Sequence, residues 1–248
     1  MLIIGRNPIL EALEYNSSSI RKIIINLNAT DKKINEIIRI ANVKQIAIEK
    51  LDKNKFDKLF DEKNKSEGIS QGILAEIEDF VYTPLKQLLI STKVKPFSTL
   101  IILDEIQDPH NLGAIIRSAA ASAVDGIILT EKNTAKVNHT VIKTSSGAAN
   151  HIKITQVSSI YSTFDELKKD GYFIIGTSLN AENDIYMFKF PPKSAIVFGN
   201  EGEGLRKNVQ KICDDLVNIP ILNKKIDSLN VSVAAGVILY EILRQKRD

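Results

Sequence analysis

The chain has 248 residues, 44% hydrophobic and 25% charged, which suits one large globular domain or two smaller ones and excludes a low-complexity or fibrous protein. Its net charge of +3 is too small to announce a nucleic-acid binder. The excess lies in residues 1–95, with 16 Lys and Arg against 13 Asp and Glu, and the remainder balances at 17 against 17.

In chain order, "NPILEAL" has helical spacing, with Asn7 as candidate N-cap and Pro8 at the first helical position. "RKIIINL" is the short apolar run of a buried strand, and "DKKINEIIRIANV" returns to helical periodicity. "QIAIEKL" reads as a strand, "NKFDKLF" as a helix and "GILAEIE" as a closing strand, so residues 1–78 form a small α/β unit. Between the last two lies "DEKNKSEGISQG", a polar surface loop of the kind that carries recognition. Residues 79–98 bridge the halves, part of them as a short helix, with "KVKPFS" as linker. From Thr99 onward the apolar runs "LIILDE", "GIILT", "YFIIGTS", "AIVFGNE" and "DLVNIPI" alternate with helical segments, the pattern of a parallel sheet covered on both faces.

The lone Cys213 excludes an internal disulfide, and it forms no close-spaced ligand set with His110, His139 and His151, so no metal is expected. No apolar stretch approaches the ~20 residues that span a bilayer, and "MLIIGRNPIL" lacks a signal peptide's architecture. The expectation is a cytoplasmic protein with no membrane partner.

In a parallel sheet, ligands gather outside the carboxyl ends of the strands. Three loops there are unusual. In "DEIQDPHNLGAIIRSA" a mostly apolar helix keeps one guanidinium, Arg117, behind Asn111, which can cap the helix. Arg117 either pairs with Asp104, Glu105 or Asp108, or faces an anion. In "AIVFGNEGEGLRKNV" a strand ends in closely spaced glycines, which favours near approach of a backbone or ligand. Leu205-Arg206 replaces the Lys-Ser/Thr of a P-loop, the order of glycines is not that of a dinucleotide fold, and Glu201 and Glu203 would repel phosphates. A nucleotide-dependent oxidoreductase is therefore disfavoured, and a cationic or neutral ligand fits better. In "NIPILNKKIDSLNVSVAAGVILYEILRQKR" an extended piece leads to an apolar helix that Ser228 or Asn230 could cap. The small residues Ser232, Ala234, Ala235 and Gly236 suit close packing on another helix.

Together these loops resemble the three signature motifs of the SpoU (TrmH-type) class of RNA ribose 2′-O-methyltransferases, in the SPOUT superfamily. "DPHNLGAIIRSA" resembles the first, "IVFGNEGEGL" the second and "IPILNKKIDSLNVSVAAGVILYE" the third. "GRNPILEAL" and "SQGILAEI" resemble the ends of the small RNA-binding domain of the RlmB-like branch, which acts on guanosine of large-subunit (23S-type) rRNA. Where that branch usually reads His-Gln-Gly, this chain has Ser70-Gln71-Gly72.

The resemblance implies an RNA-binding domain over residues 1–78, a linker over 79–98 and an α/β methyltransferase domain over 99–248 whose carboxyl-terminal segment forms a deep trefoil knot. General topology rules would never suggest such a knot. It further implies S-adenosylmethionine as methyl donor, RNA as partner and a homodimer with the active site near the subunit interface. Carried over residue by residue, the catalytic set is Asn111, Arg117, Glu201, Ser228 and Asn230. The cofactor contacts, largely backbone, are Thr177, Gly199, Gly204, Ile219, Ile221 and Leu229. On tRNA guanosine the chemistry would be the same, and a non-catalytic ribosome-assembly factor is the reading from a different class.

Overall fold

The structure, a computed structural model, describes residues 2–63, 70–223, 225 and 227–247, so the 64–69 part of the expected recognition loop lies outside the described residues. The chain separates into two compact units, Met1–Phe80 and Val81–Asp248.

The first unit contains β1 (Leu2–Ile4), α1 (Arg6–Tyr15), β2 (Ile20–Asn26), α2 (Lys32–Val43), β3 (Ala47–Leu51), α3 (Lys53–Lys63) and β4 (Ile73–Ile77). Its sheet has the order β1-β4-β2-β3, parallel between β2 and β3 and antiparallel elsewhere. Successive side chains of β2 point to opposite faces. Ile23 and Ile25 pack with Ile9 and Leu13 of α1 and with Ile34 and Ile37 of α2, while Ile24 packs with Phe56 of α3. Helices on both faces explain why this strand is apolar without alternation. Asp31 caps α2, its carboxylate accepting from Ile34 N at 3.0 Å. Asn7 does not cap α1. The helix starts two residues earlier because Gly5, at φ 91°, turns the chain straight out of β1, and Asn7 Oδ1 accepts instead from Lys33 Nζ at 2.7 Å. Gln71 holds that turn, its side-chain oxygen accepting from Arg6 N at 3.2 Å and its carbonyl from Arg6 Nε at 3.3 Å.

The second unit contains α4 (Leu85–Thr92), β5 (Ser98–Leu103), α5 (Pro109–Ala121), β6 (Gly126–Thr130), α6 (His139–Thr144), β7 (Ile154–Val157), α7 (Ile160–Lys169) and β8 (Phe173–Thr177). It continues with β9 (Asn183–Asp184), β10 (Lys193–Phe198), α8 (Lys207–Gln210), β11 (Asp215–Asn218) and α9 (Val231–Arg247). The seven strands described take the order β7-β6-β5-β10-β8-β11-β9, every pairing parallel. Leu100 and Ile102 of β5 pack with Leu88 of α4 and with Phe164 and Leu167 of α7. Ile101 and Leu103 point the other way and are equally buried, and α5, α6 and α9 pack together.

The bridge expected over 79–98 is mostly part of this unit. Leu85, Leu88 and Leu89 give α4 an apolar face, and the last two are buried in the core, so only the boundary at Phe80 separates the halves. No described helix is long and apolar enough to cross a membrane.

Because the strands are parallel, the loops after β5, β8, β10 and β11 share one edge of the sheet. Asp104, its side chain buried at the end of β5, receives two hydrogen bonds from Arg206, from Nε at 2.9 Å and Nη2 at 2.7 Å. Arg206 Nη1 also lies 3.1 Å from Glu105. Arg206, 102 positions away in sequence, thereby ties the loop after β10 to the loop after β5.

Arg206→Ala should strand a buried carboxylate and lower unfolding free energy by roughly 1–3 kcal/mol, less than for a fully enclosed pair because the guanidinium is half-exposed. Burial pushes the Asp104 carboxyl above the usual carboxylate range against the pull of Arg206, so the folded state binds that proton more readily than the unfolded chain. The deficit of the variant relative to wild type should therefore shrink as pH falls from neutrality toward the carboxylate range. Denaturant melts at two pH values check this, and equal stability at neutral pH would contradict it.

Candidate active site at the strand ends

Asp108 caps α5, accepting from His110 N at 2.9 Å, with Pro109 in the first turn. Asn111, expected as the cap, is thus left free for long-range contacts. Its Nδ2 donates to Glu201 Oε1 at 3.2 Å, and its Oδ1 accepts from Asn230 Nδ2 at 3.0 Å. The Glu201 carboxylate also faces the main-chain N–H groups of Gln107 at 3.4 Å and Asp108 at 3.3 Å. Three N–H groups converge on one anion at the start of a helix, where the helix dipole favours negative charge. Asn230 in turn caps α9, its Oδ1 accepting from Ser232 N at 2.9 Å and Ser232 Oγ at 2.6 Å. Residues 90 and 119 positions apart in sequence are joined through the Asn111 side chain.

The glycine loop folds back on itself. A Cβ at Gly199 would lie 2.2 Å from the Gly204 carbonyl carbon, so only glycine fits. Asn200 N donates to Gly204 O at 3.1 Å, Gly204 N donates to Asn200 O at 2.9 Å, and Gly204 has a φ of 70°. The Asn200 side chain donates to Glu105 O at 3.0 Å and accepts from Gly202 N at 2.8 Å, a second tie between the two loops.

Beside this loop is a cavity of about 680 Å³, within the range that small-molecule sites occupy. Thr177, Gly199, Gly204, Ile219, Ile221 and Leu229, the six residues expected at a cofactor, all line it. So do Glu201 and Ser228 from the expected catalytic set. The Thr177 hydroxyl, at the end of β8, donates to Val197 O at 3.0 Å. Glu201, Glu203 and Asp227 line the cavity against a single described lysine, Lys207. That balance disfavours a polyphosphate and fits a ligand carrying a sulfonium and an ammonium beside one carboxylate, so the residues present suit S-adenosylmethionine.

Arg117 stands apart. It is exposed, and among the described residues it makes no side-chain ion pair or hydrogen bond. Six residues beyond Asn111, it lies about 120° around α5 and about 9 Å along it. Asp104 and Glu105, offered by the sequence as its partners, belong to Arg206, and Asp108 is occupied as a cap. The structure therefore joins Asn111, Glu201 and Asn230, sets Ser228 at the cavity, and leaves Arg117 outside this chain of contacts. Asn200, Arg206 and Ser232 are the participants that sequence reasoning missed. A charge directly after the buried run of β5 was the available signal for a distant cation.

Comparison with known proteins agrees with this geometry. The model of the SpoU rRNA methylase family matches residues 98–240, and the model for RNA 2′-O ribose methyltransferase substrate binding matches residues 2–83. A TrmH family tRNA/rRNA methyltransferase of Staphylococcus saprophyticus is 35% identical over 99% of this chain and 96% of its own length. One from Staphylococcus aureus is 36% identical over 100% and 97%. Among solved structures, the SpoU methyltransferase AviRb from Streptomyces viridochromogenes, in complex with AdoMet, superposes with a TM-score of 0.70 at 24% identity, covering 100% of this chain and 91% of that one. An AdoMet-bound rRNA methyltransferase from Sinorhizobium meliloti gives 0.65 at 21%, covering 98% and 86%, and both likenesses concern the fold. With its family model spanning more than half the chain and relatives aligned along nearly all of it, this protein belongs to the SpoU rRNA methylase family and is a methyltransferase with a substrate-binding unit ahead of the catalytic one.

Proposed function

We propose that this chain transfers a methyl group from S-adenosylmethionine to the ribose 2′-hydroxyl of a guanosine in large-subunit rRNA. The observation that carries the proposal is the contact chain from Glu201 through Asn111 to Asn230, which begins at a residue lining the cofactor-sized cavity.

A ribose hydroxyl is a weak nucleophile at neutral pH, so holding it in line and removing its proton are the tasks left to the protein. Thr177, Gly199, Gly204, Ile219, Ile221 and Leu229 would hold S-adenosylmethionine, which supplies an electrophilic methyl group when bound. Glu201 acts as a positioning residue, because its carboxylate is already engaged by three donors that fix Asn111 and the start of α5. Asn111 and Ser228 then present polar groups to the acceptor ribose. Arg117 grips the phosphate beside that ribose. It stays protonated across working pH, so the proton leaves to a phosphate oxygen or to water. Cytoplasmic rRNA processing is the setting this reading implies.

A homodimer belongs to the same proposal. Val233 and Tyr240 are exposed, two turns apart on one side of α9, which packs against α5 at Ser118, next to Arg117. Burying that side against a second copy would bring Arg117 of the partner subunit toward the Asn111 network. The knotted crossing is part of the same reading: Ile219, Ile221 and Leu229, from the chain between β11 and α9, line the same cavity as the glycine loop. A tRNA guanosine is the second reading, favoured by Ser70 at a position where the RlmB-like branch usually carries His.

Three variants separate the roles. Asn111→Ala should lower kcat about a hundredfold while S-adenosylmethionine affinity changes less than about threefold, since Asn111 supports the acceptor side. Gly199→Ala should abolish cofactor binding by calorimetry, because the added methyl collides with the Gly204 backbone. Arg117→Lys should raise KM for RNA about tenfold, the cost of losing a bidentate phosphate contact. Full turnover by Asn111→Ala would contradict the assignment of the site.

A further inference from the structure

Asp and Glu number 30 in the 248 residues, yet none occurs from Lys132 to Phe164. The same stretch carries Lys132, Lys136, Lys143 and Lys153, all exposed, with His139 and His151. It forms the loop after β6, then α6, a short turn at Ala148–Asn150 and β7, the outermost strand on that side of the sheet.

This basic run starts at the rim of the active site. Ala135 N donates to Ile106 O at 2.7 Å, and Glu105 N donates to Thr130 Oγ1 at 3.2 Å. The loop after β6 is thus pinned to the loop whose amides at Gln107 and Asp108 face Glu201. At its other end α6 meets α5. Gly113 has no side chain where Thr144 Cβ comes within 2.6 Å of an added Cβ, and His110 Nδ1 lies 3.4 Å from Thr144 Oγ1. His110 and Arg117 are both exposed and two turns apart, on one face of α5. Arg117 and the basic stretch therefore flank the same helix pair. Acids beside the run are engaged elsewhere or precede it: Glu105 is taken by Arg206 and Asn133, Asp125 by Lys95 and Ser98, and Glu131 stands just ahead of Lys132.

We propose that the surface from Lys132 to Lys153 is a phosphate track, on which the catalytic unit itself holds the RNA backbone leading to the target ribose. The proposal rests on the reading that RNA is the substrate, and goes beyond it by giving the catalytic unit its own grip. Cations mixed with Asn133, Thr134, Ser146 and Asn150, and free of aromatic side chains from Lys132 to Lys153, match contacts to phosphate and sugar, which position a strand without reading its bases. Two classes of contact follow: a sequence-blind track here, and target choice elsewhere in the chain.

The test compares two triple variants of the full chain. Lys132→Gln, Lys136→Gln and Lys153→Gln neutralise the track. Lys86→Gln, Lys93→Gln and Lys169→Gln neutralise exposed lysines outside the acid-free stretch. RNA affinity is measured as a function of salt on rRNA fragments and on an unrelated RNA of equal length, with methyl transfer under the same conditions. The track variant should bind both RNAs at least tenfold more weakly in low salt. Its log Kd against log salt slope should fall by about 2, the loss of roughly three phosphate contacts. KM for RNA should rise with kcat at saturation and S-adenosylmethionine affinity unchanged, while the control triple behaves as wild type. Equal losses in the two triples, or an unchanged salt slope in the track variant, would overturn the proposal. Failure of the wild-type protein to bind or methylate any RNA would instead remove the reading on which it rests.

Discussion

One carboxylate, that of Glu201, holds the site together. It stands within a glycine loop whose shape is fixed by backbone contact at Gly199 and Gly204, and it faces two main-chain amides and the Asn111 side chain. Each of those donors belongs to the first turn of α5 or the loop before it, so the carboxylate sets where α5 begins relative to the cavity. Asn111 relays that placement to Asn230, the cap of α9. Loss of the carboxylate would therefore loosen three segments at once, at the wall of the cavity that Glu201 lines.

The parallel sheet makes such convergence feasible. Strands β5, β10, β8 and β11 are neighbours, so the loops at their carboxyl ends start within a few strand spacings of each other although they are far apart in sequence. Rigidity comes from beneath. Asp104 and Arg206 clamp the first two loops, Asn200 adds a side-chain bond to Glu105 O, and the apolar residues of β5 and β10 are fully packed on both faces. A site built this way is preorganised. Catalysis by positioning needs that, because geometry errors of about an ångström are costly.

The elements of both units were largely legible in the sequence, since buried strands such as "RKIIINL" and "GIILT" and helices such as "DKKINEIIRIANV" carry strong periodic signals. The short strand Ile154–Val157 and the two-residue strand Asn183–Asp184 were not, being too brief or too polar to stand out. Local rules also misplaced two caps. Asn7 and Asn111 have the right side chain for a cap, but Gly5 and Asp108 lie earlier and begin the helices first. The six residues that motif resemblance offered for a cofactor all line one cavity. The ion pair of Arg206 was invisible because its partner lies 102 positions away, a distance no spacing rule reaches. Arg117 stands out in the sequence as an unusual charge, yet its freedom from Asp104, Glu105 and Asp108 is a fact of three dimensions.

The first unit matches the substrate-binding model of RNA 2′-O ribose methyltransferases and the second the methylase model. The most direct measurement of the central claim is transfer of a labelled methyl group from S-adenosylmethionine to total RNA from cells lacking this protein, followed by sizing and nucleoside digestion. Label recovered as 2′-O-methylguanosine in large-subunit rRNA is the expected result. Label on a base, or no label in any RNA or ribosomal subparticle from a protein that binds the donor, would contradict it.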